Sequence, residues 1–100
     1  MIVIDKAAWH IDGMSEPKLV TSYFMRIFNW LDSKQLLTEE GKEALKFGID
    51  ESISLHEHMV TKEALDFLTS HYDEYLKDHF EDDNNAEKLD ALYEELKELD

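Results

Sequence analysis

The sequence predicts a mainly α fold, three to four helices bundled around a central apolar helix at about residues 16–33, with room for a short N-terminal strand or hairpin. Three observations predict it. Apolar residues recur at steps of three and four through 20–31, 64–76 and 86–99, the period that lines one face of a helix. Helix-starting residues, Ser15, Thr38 and Thr61, stand in front of periodic segments. An apolar content of 43% with 11% aromatics is the composition of a packed chain and not of a disordered one.

One hundred residues make one domain, 1–100, in which 81–100 reads as an appended C-terminal helix. Area scaling from the mass lets about 65% of the unfolded surface be buried. That supports a core without a metal or disulfide staple.

Residues 1–14 read as non-helical. Ile2, Val3 and Ile4 allow a short strand, and Asp12-Gly13 is a turn signal. The first helix is expected from Ser15 to about Ser33, with Glu16 and Pro17 in its opening turn. Its inward face holds Val20, Tyr23, Phe24, Ile27, Phe28 and Leu31, widened by Leu19, Met25 and Trp30. So broad an apolar face belongs to a helix covered on several sides.

Residues 34–37 form a connection, and Thr38 caps a second helix with Glu39 and Glu40 in its first turn. Ala44, Leu45 and Phe47 are its expected inward face, and Gly48 its terminator. Residues 49–60 fit helix or strand, and the alternation over 52–56 allows a strand pairing with the N-terminus. Thr61 caps the next helix, whose stripe is Ala64, Leu65, Leu68, Tyr72, Tyr75 and Leu76, flanked by Phe67 and Phe80. The run 81–85 breaks it. The last helix, about 86–99, carries a narrow seam of Ala86, Leu89, Leu92, Tyr93, Leu96 and Leu99. Such a seam packs on the body or pairs with a second copy, and it is short for a free-standing coiled coil.

Charge is the strongest compositional feature. Twenty-four acids against ten bases give −14, and residues 73–100 alone hold −9 of it. That field repels phosphate backbones and anionic lipid, so neither nucleic acid nor membrane is an expected partner. The segment 19–31, broken by Thr21, Ser22, Arg26 and Asn29, is too short and polar to span a bilayer. The first six residues lack a basic flank and a long apolar run, unlike a signal peptide. With no cysteine, disulfides, thiol catalysis and thiolate metal sites are excluded. A cytoplasmic location fits.

Histidines are the first candidates for chemistry. His56 and His58, two apart, would share a face of an extended segment. His71, Glu74 and Asp78 would share a helix face. A metal alternative would use His56, His58, His71 and His79, yet only pairs of ligands can be named where a site needs three or four. No cofactor is expected. Asp83, Asn85, Glu87 and Glu94 mimic a calcium loop, but Lys88 stands where glycine is required. Ser70 and His71, adjacent on a helix, point about 100° apart and make no nucleophile–base pair. No catalytic residue is expected.

Aromatics offer another reading. Trp9, Trp30, Tyr23, Tyr72, Tyr75 and Tyr93 would be core on helical stripes or a binding hot spot if exposed. Trp9 lies outside any periodic element and is the best candidate for exposure.

The segments Trp9-His10-x-x-Gly13, Thr21-x3-Met25-x2-Phe28-x-Trp30 and Leu36-Leu37-Thr38-Glu39-Glu40 resemble an uncharacterised family of small acidic bacterial domains. Ala64-Leu65-x-Phe67-x3-His71-Tyr72-x2-Tyr75-Leu76 is similar to that family's closing helix. The resemblance spans about residues 9–80. It departs at Ser22, where the family has histidine, and in lacking the family's central glycine. It implies no activity, and it implies that Trp9, His10, Phe28 and Trp30 form one unit. Size and charge are also those of immunity proteins that neutralise basic toxins, an analogy alone. The leading expectation is therefore a non-catalytic, immunity-like protein, monomer or homodimer, binding a protein partner, in particular a basic one. Its contacts would be Trp9, Asp73, Glu74, Asp78, Glu81, Asp82 and Asp83. The alternatives are the metal-binding protein and a structural subunit of a larger assembly.

Overall fold

The computed structural model describes the backbone of residues 1–13, 16–79 and 85–98, and their side chains outside 73–79, 85, 86 and 98. The fold is mainly α: a small helical bundle with an N-terminal two-stranded antiparallel sheet. The chain runs β1 (Val3–Lys6), α1 (Ala7–Asp12), α2 (Pro17–Ser33), α3 (Glu39–Phe47), β2 (Ser54–His56), a 3₁₀ turn (Glu57–Met59), α4 (Lys62–His79) and α5 (Asn85–Glu98).

The centre is α2. Val20, Tyr23, Phe24, Ile27, Phe28, Trp30 and Leu31 are all buried on it, and each large apolar side chain so placed is worth about 1.5–3 kcal/mol. The face is narrower than the composition implies. Leu19 is 49% exposed and Met25 37% exposed, because they fall on the arc of α2 that no described neighbour covers. Trp30 alone of the three widening residues turns inward. The helix ends at Ser33, and two residues on Gln35, whose φ of 59° is left-handed, lets Leu36 N–H bond back to the Leu31 carbonyl at 2.8 Å. Lys34 and Gln35 thus close α2 while Leu36 and Leu37 return to the core.

Thr38 caps α3 by accepting from Gly41 N–H at 3.3 Å, and its own hydroxyl donates to the His58 carbonyl at 2.6 Å. Gly41 has to be glycine for space: a Cβ there would overlap the Met59 carbonyl. α3 and the 3₁₀ turn therefore touch backbone to backbone. Phe47, expected inward, is 82% exposed. It is the last residue of α3, before Gly48 at φ 105° turns the chain away, so among the described residues no element lies beyond it to pack on. Gly41 takes the buried position instead.

The open choice over 49–60 resolves as strand plus 3₁₀ turn. β2 pairs with β1 at Val3–His56, Asp5–Leu55 and Lys6–Ser54, with an irregularity between Val3 and Asp5. Ala7 N–H to the Ile53 carbonyl extends the pairing to 3.0 Å contact at its end. A second short bridge, Leu37 with Val60, ties the two connections together. Residues 7–12, expected non-helical, are α1. Its N-cap Lys6 makes no side-chain cap bond, so six residues hold as a helix through packing of Ala7 and Ile11 on the core and not through local signals.

Thr61 caps α4, accepting from Ala64 N–H at 3.3 Å. Ala64, Phe67, Leu68 and Tyr72 are buried along it. On α5 Leu89 and Tyr93 are buried, with Leu92 and Leu96 packed at the edge of the same core. The seam thus lies on α2 and α4. Ser15, Phe80 and Leu99 lie outside the described residues, and the side chains of Tyr75, Leu76 and Ala86 likewise. Among the described residues no helix is long and apolar enough to cross a membrane.

Candidate functional site

Among the described residues two places bring tyrosine and carboxylate side chains together, one inside the protein and one on its surface.

The inner one is built on Asp5. The strand irregularity falls immediately before this residue, a device that re-aims side chains, and the carboxylate is 2% exposed. A buried carboxylate is costly unless donors surround it. Here they do. His10 Nε2 lies 2.8 Å from both carboxylate oxygens, Tyr72 Oη donates at 2.9 Å and Lys6 N–H at 2.8 Å. A carboxylate accepts, so the shared proton with His10 sits on Nε2. Tyr23 Oη in turn donates to Tyr72 Oη at 2.6 Å. Burial foremost, then Tyr23 and Asp5 beside it, hold the Tyr72 phenol well above the usual tyrosine range. His10 also packs edge-on against Tyr23, with ring centroids 6.4 Å apart, and lies 6.1 Å from Phe24. The four side chains come from β1, α1, α2 and α4, so the network locks those elements to one another.

Trp9 follows from the same short helix. Consecutive residues on a helix point about 100° apart, so with His10 turned in, Trp9 turns out and is 53% exposed. Lys6 Nζ stands 5.8 Å from its ring centroid, within cation–π range.

The outer place is a cleft between α4 and α5 of about 480 Å³, lined by Glu63, Asp66, Phe67, His71, Tyr93, Leu96 and Lys97. Its floor is an aromatic cluster. Phe67 and Tyr93 meet edge to face at 5.1 Å, Trp30 closes on Tyr93 at 5.5 Å, and His71 lies over Phe67 at 5.6 Å. Tyr93 Oη donates to Glu63 Oε1 at 2.8 Å. Burial foremost, then Glu63, push its phenol up to about 12. Lys97 Nζ sits 5.8 Å from the Tyr93 ring centroid. Behind the floor, Trp30 Nε1 donates to Asp90 at 2.9 Å, and Lys34 Nζ bonds Asp90 at 2.8 Å and Glu94 at 3.0 Å. The Lys34 and Trp30 bonds hold Asp90 below the usual carboxylate value. These contacts fix α5 to the end of α2.

Of the candidate contacts, Trp9 is on the surface. Asp73, Glu74 and Asp78 lie on the backbone of α4, but their side chains are outside the described residues; Glu81, Asp82 and Asp83 are wholly outside them. His56 and His58 come together on β2 and the 3₁₀ turn, with ring centroids 5.8 Å apart. Glu40 Oε2 is 3.5 Å from His56 Nε2, and His56 Nδ1 accepts from His58 N–H. His71 is in the α4–α5 cleft, and the His79 side chain is outside the described residues. Among the described residues no three histidines or acids converge as a metal would need. His10 lies against α2 near Tyr23 and Phe24, while Trp30 closes the cleft with Phe67 and Tyr93.

Sequence reasoning missed Asp5 and the cleft acids Glu63 and Asp66. Asp5 carried one signal, an acid directly after Ile2-Val3-Ile4. Glu63 and Asp66 carried none, being two carboxylates among many.

Comparisons of the chain with protein-family models, with curated proteins and with solved structures gave no match.

Proposed function

We propose that this chain is a non-catalytic protein-binding module that sequesters or inhibits a basic protein partner through its acidic surface, in the manner of an immunity protein. The observation that carries the reading is how the acids divide. Among the described residues Asp5 is the one buried acid, and the others, from Asp12 to Glu95, lie at the surface or half-buried at its edge. With a net charge of −14, such a surface speeds encounter with a basic partner and repels anions. Trp9, half exposed on α1, and the aromatic cleft between α4 and α5 supply the apolar contact area that charge alone does not. Asp73, Glu74, Asp78, Glu81, Asp82 and Asp83 are proposed as further contacts for their charge alone. The buried Asp5–His10 pair is given a structural part, because its hydrogen bonds are spent on neighbouring elements. The absence of cysteine fits an encounter in a reducing bacterial cytoplasm.

The test is capture from extract on the immobilised protein at low salt and at about 0.5 M, where the Debye length shrinks to a few ångströms. The expected result is a basic protein retained at low salt and lost at high salt. A partner that is acidic, or whose retention ignores salt, overturns the reading.

A further inference from the structure

We infer that the cleft between α4 and α5 receives one arginine side chain of the basic partner, seated on the Tyr93 ring in the place now held by Lys97. The inference rests on the reading above and names where on the acidic surface the partner is recognised.

Shape comes first. The cleft encloses about 480 Å³ over an aromatic floor of Phe67 and Tyr93, with Glu63 and Asp66 on its rim. That is a concave, apolar site with a few polar groups at its mouth, the usual form of a recognition pocket. Both rim carboxylates are exposed, so they meet an incoming cation without first leaving the core.

The second observation concerns the ring itself. Lys97 Nζ lies 5.8 Å from the Tyr93 centroid, so the face of that ring already holds a cation. Tyr93 Oη donates to the Glu63 carboxylate at 2.8 Å. Donation to a carboxylate loads negative charge onto the phenol, which makes the ring a better seat for a cation. Lys97 is exposed, and a flexible, strongly hydrated ammonium is held weakly on such a ring. It is an occupant that can be exchanged.

Arginine is the residue that gains from the exchange. Its planar guanidinium stacks on an aromatic face while its fork pairs with a carboxylate, here Asp66 or Glu63. A partner's lysine offers only the point charge that Lys97 already supplies, so replacing one with the other gains little.

The experiment titrates the protein with a short arginine-rich peptide and with its lysine counterpart at low salt, following the ring signals of Phe67 and Tyr93 by NMR. Arginine is expected to shift both rings and to bind more tightly than lysine. Asp66→Asn is expected to weaken arginine binding about three- to fivefold, and more than the charge-matched control Glu43→Gln on α3. Lys97→Ala is expected to tighten it by more than the control Lys46→Ala, which removes the same charge elsewhere. Basic peptides that bind with the two members of each pair equal, and with no shift of the rings, overturn the cleft and leave the acidic-surface reading standing. If neither peptide binds at low salt, both fall.

Discussion

Among the described residues the same chemical pair, a tyrosine hydroxyl on a carboxylate, occurs in two settings. Tyr72 donates to Asp5 at 2.9 Å inside the junction of β1, α1, α2 and α4. Tyr93 donates to Glu63 at 2.8 Å on the lip of the α4–α5 cleft. The lengths barely differ, but the surroundings do. Asp5 is 2% exposed and takes two further donors, whereas Glu63 is exposed to water. Hydrogen-bond geometry therefore does not rank the two pairs; desolvation does. A buried acceptor must keep every donor, because water cannot replace one that is lost. An acceptor at the surface has water as a substitute, and so its carboxylate stays available to a partner.

The largest expected effect breaks the inner pair. Asp5→Ala leaves His10, Tyr72 and the Lys6 N–H without their acceptor. It is expected to cost about 3–5 kcal/mol, the scale for removing one member of a buried charged network. Chemical denaturation measures it, and a loss below about 1 kcal/mol would mean that water reaches the network. Tyr72→Phe comes next. It removes one donor to the buried Asp5 carboxylate and the acceptor of the Tyr23 hydroxyl's 2.6 Å bond, at about 1–3 kcal/mol.

The two regions also differ in how far the sequence disclosed them. The α2 core followed from its period, and the caps at Thr38 and Thr61 and the stop at Gly48 from local chemistry. These elements were legible because each is decided within a few residues. Asp5 and His10 are five apart across a strand–helix junction, a spacing with no periodic meaning, and α1 has no capping signal, so their pairing exists only once α2 and α4 are in place. Leu19, Met25 and Phe47 misled for the mirror reason: apolar residues at helical spacing turn inward only where a neighbour covers them. The cleft lay between these cases. Tyr93 was readable as part of the α5 seam, but Glu63 and Asp66 become a rim only when α5 lies beside α4.

Alkaline pH acts on both tyrosines. Tyr93 is pushed from 10.0 up to about 12, and Tyr72 is pushed well above the usual value. The fold favours the protonated form of both. The stabilisation is therefore complete below about pH 10 and is lost as pH rises through about 12 for Tyr93. Stability should fall across that window, and Tyr93→Phe should flatten the fall. Ultraviolet absorbance of tyrosinate, compared between the parent and Tyr93→Phe, checks the window. A fall in stability that Tyr93→Phe leaves unchanged would mean that the fold does not favour the protonated Tyr93 phenol.

The smallest expected effect is Glu63→Gln. The amide oxygen still accepts from Tyr93, so the bond survives in neutral form. Water takes over what the charge did, and stability should change by no more than about 0.5 kcal/mol. Charge at the cleft mouth falls all the same. The variant is therefore expected to melt like the parent while binding an arginine-rich peptide less tightly, which Asp5→Ala cannot show because it unsettles the fold first. A large stability loss in Glu63→Gln would place the second pair in the same class as the first, with its carboxylate committed to structure and not to recognition.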